Sequence, residues 1–367
     1  MTTQTPVRLF RIEEKKRRFR SGSFYLRSAL LLLFLLVPFL FPSFKSFDLM
    51  MKIVLFATLA ASFDILLGYT GIISFGHAMF FGIGAYCVGL FTTKYGAPTY
   101  LNLALAFGVA IGIAAVLAVL ISFFSLRVQA IFFAMITLAI AEFGEILAMK
   151  LSWFTGGEDG ISLYMPGVFR LSTNLGKFLG VDIDGRVMTY YFILLVCLGL
   201  FMIMLRVIHS PLGRTLQAIR DNAQRAEALG VRTFVFQSFS ITIGCVIATI
   251  VGALYAMWVR YVNPESCLNM SIMLDVLLMV IIGGMGTLYG GLVGAAFLKI
   301  AQTFLPDMQH LAQQLFPNFQ FLHGVMERWL FIFGILFILV VFFFPSGIMG
   351  SVQNYLARRK ALRAQTE

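Results

Sequence analysis

The chain has 367 residues, of which 59% are hydrophobic and only 12% are charged, and its mean hydropathy is +0.89. Soluble domains carry about 25% charged residues, so this composition excludes a soluble globular enzyme and any disordered or fibrous protein. A net charge of +11 would suggest nucleic acid in a soluble protein, but most basic residues here flank apolar runs, which is the pattern that sets membrane topology. We therefore expect an all-α integral membrane protein that binds no nucleic acid.

The first apolar run, over 28–44, follows a strongly basic N-terminal segment. It resembles a signal peptide, but 41–44 reads Phe-Pro-Ser-Phe and offers no small-residue cleavage site, so we predict a helix that stays in the membrane. Further helices are predicted at 49–68, 72–92, 100–125, 128–149, 187–206, 234–258, 268–283, 286–304 and 327–344. Together they give about ten spans of a hydrocarbon core about 30 Å thick. The stretch 268–304 is either two spans or one broken or re-entrant element.

The distribution of Lys and Arg predicts the orientation of these spans. Basic residues are concentrated in the N-terminal segment 1–27, the segment 207–233 and the tail 346–367, whereas the long loop 150–186 has balanced charge. With ten spans, both termini and 207–233 lie in the cytoplasm and the balanced loop lies outside, in the periplasm. The membrane domain itself is predicted as a single unit over 28–345.

Cysteine and histidine are scarce, with four residues of each type. None of the cysteines forms a CxxC pair, so the sequence predicts neither a zinc site nor a disulfide framework. No nucleophile accompanied by a base is visible either. We therefore expect no metal site and no catalytic residue in this chain.

The segment 74–86 combines a histidine with small residues on more than one helix face. Small residues let helices approach closely in lipid, and a polar side chain at membrane depth must face protein or a water-filled path. His77 is thus a hydrogen-bonded packing residue, part of a substrate path or, with no second ligand at a suitable spacing, a much weaker metal-ligand candidate. The substrate-path candidates are Ser74, His77, Gly82, Gly84 and Tyr86.

The segment 209–230 predicts an amphipathic helix outside the membrane. Ser210 is a suitable N-cap and Pro211 a suitable first residue, and Gly230 can end the helix. A restart at 221–222 is possible, so one helix or two remains open. The apolar stripe consists of Leu212, Leu216, Ile219, Ala223, Ala226 and Leu229. Such a helix must dock on lipid or on a partner protein.

The glycine-rich segment 282–294 is not a nucleotide site. A P-loop ends in Gly-Lys-Ser/Thr, which occurs nowhere in this chain, and Tyr289 stands where the third glycine of a dinucleotide motif would be. The segment instead predicts a tight break between helices. Such a break is tolerated at membrane depth where protein or a cavity covers the backbone.

Isolated acidic residues inside apolar runs are functional candidates by default. They are Asp64, Glu142, Glu145 and Asp275. The spacing of Glu142 and Glu145 places both on one helix face, which gives a proton relay only weak support. A proton-coupled transporter should show several paired charges, and an integral enzyme should show a reactive cluster. A permease subunit driven by an external motor needs a helix bundle and a docking helix, and it fits the sequence best.

Eight short motifs occur in order along the chain. They are Gly-Tyr-Thr-Gly (68–71), Ser-Phe-Gly-His-Ala-Met-Phe-Phe-Gly-Ile-Gly-Ala-Tyr (74–86), Ser-Pro-Leu-Gly-Arg (210–214), Ala-Ile-Arg-Asp-Asn (218–222), Ala-Glu-Ala-Leu-Gly (226–230), Gly-Ala-Leu-Tyr-Ala (252–256), Gly-Gly-Met-Gly-Thr-Leu-Tyr-Gly (283–290) and Phe-Pro-Ser-Gly-Ile (344–348). This ordered set resembles the permease family of branched-chain amino-acid ABC importers, LivM type. Ser346 is a departure, since many members have Arg there.

The resemblance implies a bacterial inner-membrane heterodimer with a LivH-type permease, two ABC ATPase subunits and a periplasmic substrate-binding protein, surrounded by membrane lipid. It implies alternating access, with ATP and Mg bound by the partner subunits and no cofactor in this chain. Branched-chain or related amino acids are the expected substrates, with urea, short amides or aromatic acids as the alternative. A proton-coupled secondary transporter is a less favoured reading.

The resemblance also assigns roles to residues in two of the segments described above. The segment 210–230 corresponds to a coupling helix that seats on an ATPase subunit, and the glycine-rich break corresponds to a hinge. The coupling candidates are Arg214, Arg220, Arg225, Ala226, Glu227 and Gly230. The hinge candidates are Gly283, Gly284, Gly286 and Gly290.

Overall fold

The computed structural model describes residues 44–94, 97–128, 130–170, 173–178, 181–315 and 329–351, together with Phe34, Leu36 and Tyr355. The N-terminal segment 1–27 and most of the tail lie outside the described residues. The same holds for the first predicted helix, 28–44, except for Phe34, Leu36 and Phe44. The count of about ten spans therefore stays a prediction.

The described chain consists mainly of long apolar helices. They are α1 (Phe44–Thr70), α2 (His77–Gly89), α3 (Tyr100–Ser125), α4 (Ala130–Lys150), α5 (Ser152–Thr155), α6 (Gly185–His209), α7 (Pro211–Asp221), α8 (Ala223–Ala228), α9 (Thr233–Val259), α10 (Pro264–Cys267), α11 (Met270–Gly283), α12 (Leu288–Leu315) and α13 (Trp329–Phe343). Eight stretches in this part of the chain are long and apolar enough to cross a membrane. The predicted all-α membrane bundle is thus confirmed. Most boundaries shift by a few residues, but the helix predicted at 286–304 continues to Leu315.

The helix predicted at 72–92 differs from the structure at its start. The chain leaves α1 through Gly71, whose φ is +76°, and α2 begins only at His77. The intervening loop is held by α4, because the backbone N–H of Phe75 donates to Oγ1 of Thr137 over 3.1 Å. After thirteen residues α2 passes directly into a π-helix, Leu90–Lys94.

Two small antiparallel sheets were not predicted. Strand β1 (Ile161–Ser162) pairs with β4 (Tyr261–Val262), and β2 (Asn174–Phe178) pairs with β3 (Val181–Asp184). Strand β4 follows α9 almost directly, because α9 ends at Val259 and the next residue, Arg260, takes a left-handed conformation with φ of +60°. The first sheet therefore forms where the 150–186 loop meets the end of α9, and the second forms within that loop.

Helix α1 lies at the centre of the bundle. In its most apolar 18-residue window 89% of the residues are buried, against 6% for the span at 330–351 that contains α13. Helices α6, α9, α11 and α12 pack against α1, and α2 packs mainly against α9, whereas α3, α4 and the outer side of α6 expose apolar faces. An exposed apolar face is normal for a lipid-facing helix, so α3, α4, α6 and α13 form the periphery.

The two ends of the bundle differ in what they contain. At one end, called here the α7 end, α7 packs on α6, α1 and α9, next to the 284–287 loop and the turn at 344–347. At the other, the sheet end, the π-helix contacts β1, and Lys94 donates to the carbonyl groups of Trp153 and Phe154. The balanced loop 150–186 and the basic segment 207–233 therefore lie at opposite ends.

Candidate functional site

The coupling segment folds as two helices, which settles the alternative left open by the sequence. Asn222 has extended backbone angles (φ −163°, ψ 101°), and its side chain caps α8 by accepting the N–H of Arg225 over 2.9 Å. Ser210 occupies the N-cap position of α7 as predicted, but its hydroxyl donates to the carbonyl of Val207 over 2.5 Å instead of capping the first turn. Pro211 is the first residue of α7.

One side of these two helices faces the bundle. Leu216 and Ile219 are buried, as is Gly213, where a Cβ would lie 2.1 Å from the carbonyl oxygen of Ile208. Ala223 and Leu229 were expected to continue this apolar stripe, but both are exposed, Leu229 to 85%. The predicted coupling residues on the open side are Arg214, Arg225, Glu227 and Gly230. Ala226 differs from them, because it is buried and packs against the protein itself.

Arg220 connects α7 to the core of the bundle. Its Nη1 donates to the carbonyl of Gly68 near the end of α1. The same nitrogen lies 3.0 Å from where a Cβ of Gly286 would be, and the Arg220 side chain also packs against Gly71. A residue predicted to face a partner subunit therefore contacts both α1 and the glycine-rich loop.

The glycine-rich break lies between α11 and α12, two antiparallel helices that belong to two stretches each long and apolar enough to cross a membrane. Gly284 and Gly286 have φ values of +112° and +77°, a region that residues with a Cβ rarely adopt. The loop is tied to α1, because Oδ1 of Asp64 accepts the N–H of Gly286 over 2.8 Å. Gly283 and Gly290 lie against each other, since a Cβ on Gly283 would be 1.9 Å from the carbonyl oxygen of Gly290. The predicted tight break is confirmed.

The structure thus brings the coupling segment and the hinge candidates together at the α7 end. A cavity of about 240 Å³ lies beside this junction. Its lining includes Arg220, Met285, Val341, Phe344, Ser346 and Gly347. Movement of α7 relative to the bundle would act on the 284–287 loop directly through Arg220.

The substrate-path candidates lie inside the bundle. His77 is 1% exposed and packs edge-on against the ring of Phe63, with ring centroids 5.3 Å apart. Among the described residues neither ring nitrogen of His77 has a hydrogen-bond partner, and the same is true of the Tyr86 hydroxyl. The structure therefore gives no support to the prediction that His77 is a hydrogen-bonded packing residue.

The remaining path candidates pack against backbone or neighbouring side chains. A Cβ on Gly84 would lie 1.8 Å from the carbonyl oxygen of Thr249, and one on Gly82 would lie 2.1 Å from the side chain of Leu268. Ser74 is buried and accepts the N–H of Gly76 over 3.4 Å. The assignment of these residues to a substrate path stays a prediction.

Besides Asp64, two of the acidic residues in apolar runs have partners that the sequence did not indicate. Glu145 accepts the side-chain amide of Asn269 over 3.1 Å, and Asp275 forms an ion pair with Lys299 over 2.9 Å. Lys299 was missed, although a single lysine inside the predicted helix 286–304 is itself a signal of function at membrane depth. Within the residues that the structure describes, no group of three or more His, Cys, Asp or Glu side chains is placed to hold a metal ion.

A family model described as branched-chain amino acid transport system / permease component matches residues 46–341. The chain belongs to this permease family. It is 31% identical over 294 residues to the high-affinity branched-chain amino acid transport system permease protein LivM of Salmonella typhimurium, a match that covers 76% of this chain and 68% of that protein. The permease is 29% identical to LivM of Escherichia coli with the same coverage.

A more distant relative is the probable branched-chain amino acid transport permease protein LivM of Methanocaldococcus jannaschii. It is 24% identical over 328 residues, which cover 80% of this permease and 90% of that protein. No solved structure matches the chain. The protein is therefore a multi-pass permease subunit of an ABC system in the inner membrane, and its family is one of transport permeases and not of enzymes.

Proposed function

We propose that this permease forms half of the translocation path of an ATP-driven importer for branched-chain or related amino acids, and that it works by alternating access. The names of the relatives support this substrate class. The other half of the path is a second, LivH-type permease. Two ATPase subunits bind ATP and Mg and hydrolyse the nucleotide, and a periplasmic binding protein delivers the substrate.

The observation that carries this proposal is the position of α7 and α8 at one end of the bundle. Their exposed side carries Arg214, Arg225 and Glu227, and Arg220, which is also exposed, donates from its guanidinium to the carbonyl of Gly68. An amphipathic element with one packed side and one charged open side suits docking on a partner protein. The α7 end is then cytoplasmic, in agreement with its basic charge, and the sheet end faces the binding protein.

Coupling proceeds in this scheme through Arg220. Closure of the ATPase pair moves α7, and the guanidinium group transmits the movement to the end of α1 and to the 284–287 loop. Because Gly284 and Gly286 hold left-handed backbone angles, the loop is a point at which α11 and α12 can change their relative position without deforming either helix. Gly283 and Gly290 form the close backbone contact that holds the end of α11 against the start of α12.

Cross-linking of the assembled transporter tests the docking. Arg225→Cys is expected to cross-link to an ATPase subunit, and Tyr164→Cys, which is 65% exposed at the sheet end, is the matched control and should not. The four native cysteines are buried and should give no background. A cross-link to the ATPase from Tyr164→Cys, with none from Arg225→Cys, would contradict the proposed orientation.

Transport assays in proteoliposomes test the energy source and the substrate. Uptake of radiolabelled leucine should require ATP on the side of the membrane where α7 lies. It should persist when a proton gradient is collapsed. Uptake that survives ATP depletion but stops without the gradient would favour the secondary-transporter alternative. Uptake of urea, acetamide or benzoate, but not of leucine, would replace the substrate class and leave the permease role in place.

A further inference from the structure

A polar triad lies between the membrane-spanning helices α11 and α12. Nζ of Lys299 donates to Oδ2 of Asp275 and to Oε1 of Gln302, each over 2.9 Å. The amide of Gln302 also donates to both oxygens of Asp275, over 3.0 and 3.1 Å. The two opposite charges and the amide thus form a closed set of hydrogen bonds.

The triad lies deep in the bundle and is open on one side. Lys299 lies about 16 Å from Leu288 along α12 at about 1.5 Å per residue, near the middle of a hydrocarbon core about 30 Å thick. Its ammonium group lies 3.8 Å from the ring centroid of Phe56, where the π face attracts a cation. The side chain of Asp275 is 25% exposed, against 11% for Lys299. The acid therefore forms the accessible edge of the pair.

Close backbone contact also holds the two helices together beside the triad. A Cβ on Gly294 would lie 1.8 Å from the carbonyl oxygen of Met279, so α11 and α12 are already in backbone contact next to the pair. Replacing a buried ion pair with apolar groups of similar size is often neutral or stabilising. Charges at membrane depth typically mark a substrate or ion path. A partly exposed carboxylate also fits a water-filled path better than lipid.

We propose that Lys299, Asp275 and Gln302 line the translocation path and bind the charged head group of a zwitterionic substrate. The substrate carboxylate takes the place of Asp275 at Lys299, and the substrate ammonium takes the place of Lys299 at Asp275. Gln302 has both a donor and an acceptor, so it can bond either group during the exchange. Each charge keeps an opposite partner, and no isolated charge is left at low dielectric.

This inference rests on the proposed function and deepens it by naming the part of the substrate that is recognised. An α-amino acid with any side chain satisfies the triad, whereas a neutral amide or urea offers no charge for Lys299 or Asp275. The triad then selects for the zwitterionic head group, while the choice among side chains is made elsewhere.

Accessibility to a charged thiol reagent tests the position of the triad. In the assembled transporter, Gln302→Cys keeps the ion pair and should react with a water-soluble, cationic methanethiosulfonate, and saturating leucine with its binding protein should slow the reaction. Phe304→Cys, on the same helix and 51% exposed, is the matched control and should not react because its side chain faces lipid. Equal reactivity of the two variants, or none at Gln302→Cys, overturns the proposal.

Replacement of the charges tests their role. The double variant Asp275→Leu/Lys299→Met should assemble, as size-exclusion chromatography can show. Leucine uptake should nevertheless fall about tenfold or more, because the substrate no longer finds the two buried charges that bind its head group. The control Lys45→Met/Asp307→Leu removes an exposed ion pair between α1 and α12, and uptake should stay within about twofold. Uptake within twofold of wild type in the triad variant overturns the inference; if that variant fails to assemble, the labelling result decides.

The two proposals fail in different ways. Wild-type transporter that shows no ATP-dependent uptake of leucine contradicts the proposed substrate class, and one that shows no ATP-dependent uptake of any of these substrates contradicts the permease role as well. Wild-type transporter that imports leucine, together with an unaffected triad variant, contradicts only the inference about the triad.

Discussion

Two glycine-rich segments of this permease resemble each other in composition and differ in physical use. In α2, Gly84 has an ordinary helical backbone and lets α9 approach, and Gly252 of α9 does the same in return, since a Cβ there would lie 1.8 Å from the carbonyl oxygen of Phe81. Between α11 and α12, Gly284 and Gly286 have positive φ and lie outside any helix. The first segment uses glycine for its missing side chain. The second does the same at Gly283 and Gly294, but its 284–287 loop also needs the backbone freedom of Gly284 and Gly286.

This difference separates a rigid part of the molecule from a part that can move. Helices α2 and α9 are held by contacts between backbones, which tolerate little displacement. The 284–287 loop is held by a few hydrogen bonds, among them those of Asp64 and Thr287, and it lies beside Arg220 of α7. We therefore expect substitutions in the first segment to affect folding and substitutions in the 284–287 loop to affect transport.

The largest expected effect is that of Gly84→Val. The new side chain meets the carbonyl of Thr249 at 1.8 Å and the backbone nitrogen of Ala253 at 2.9 Å, and a helix backbone cannot turn aside as a side chain can. Because overpacking costs typically 1–3 kcal/mol and sometimes more, a loss of about 3 kcal/mol or more is expected. The thermal midpoint in detergent and the yield of monodisperse protein measure it.

The matched control for this prediction is Gly112→Val in α3, where a Cβ meets nothing within 4 Å. It should behave as wild type, because valine on a lipid-facing helix adds apolar surface without a clash. A wild-type midpoint for Gly84→Val would show that α2 and α9 separate easily, and the distinction between the two segments would be lost.

The next effect is that of Arg220→Glu, which removes the hydrogen bond to Gly68 and places an acid near Asp64. Hydrogen bonds to charged groups contribute about 1.5–3 kcal/mol, so we expect uptake to fall about tenfold or more while the protein still inserts in the membrane. The ATPase activity of the assembled complex should continue without transport. Arg225→Glu is the matched comparison, because it alters the exposed side and should weaken binding of the ATPase subunit instead.

Loss of ATPase binding in Arg220→Glu, with unchanged behaviour of Arg225→Glu, would place the docking surface on the other side of α7. Unchanged uptake and coupling in Arg220→Glu would remove the role of the inward contact altogether.

A smaller effect is expected for Gly286→Ala. Its φ of +77° costs a residue with a Cβ about 1–2 kcal/mol, and the new methyl group would lie 3.0 Å from the guanidinium of Arg220. Uptake should fall clearly while the thermal midpoint changes little, since the strain acts on the loop and not on the helices. Gly286→Asn should recover part of the loss in stability, because asparagine enters the left-handed region more readily. Equal effects of Ala and Asn would mean that the contact with Arg220, and not the backbone angle, is limiting.

Much of the fold could be predicted from the sequence because a membrane imposes strict length and polarity on each span. Uninterrupted apolar runs indicated the long helices from α3 onward, and the glycine cluster at 283–290 indicated a break. The restart at Asn222 was recognised as possible but not decided, since a polar residue with capping capacity occurs in many helices. Its extended backbone depends on how α7 and α8 each pack on the bundle.

The contacts of the candidate site could not be predicted, because they join residues far apart in the chain. Arg220 was placed on a polar face by helical periodicity, yet the end of α1 lies within its reach and offers the free carbonyl of Gly68. Likewise Asp275 was taken as isolated because Lys299 follows 24 residues later on another helix. Periodicity describes one helix at a time and carries no information about which helix lies opposite.

The smallest effect, and the sharpest test of the distinction, is that of Gly230→Ala. Gly230 has φ of +86° and ends α8, where its N–H donates to the carbonyl of Glu227 over 2.8 Å, and a Cβ would meet nothing within 4 Å. Only the backbone angle is penalised, so the isolated permease should lose about 1 kcal/mol. The same substitution in the assembled transporter tests contact with the partner. If Gly230 contacts an ATPase subunit, its replacement should lower stability more in the assembled transporter than in the isolated chain. Equal losses in both would mean that Gly230 serves only the turn and would move the docking contact to the arginine side chains.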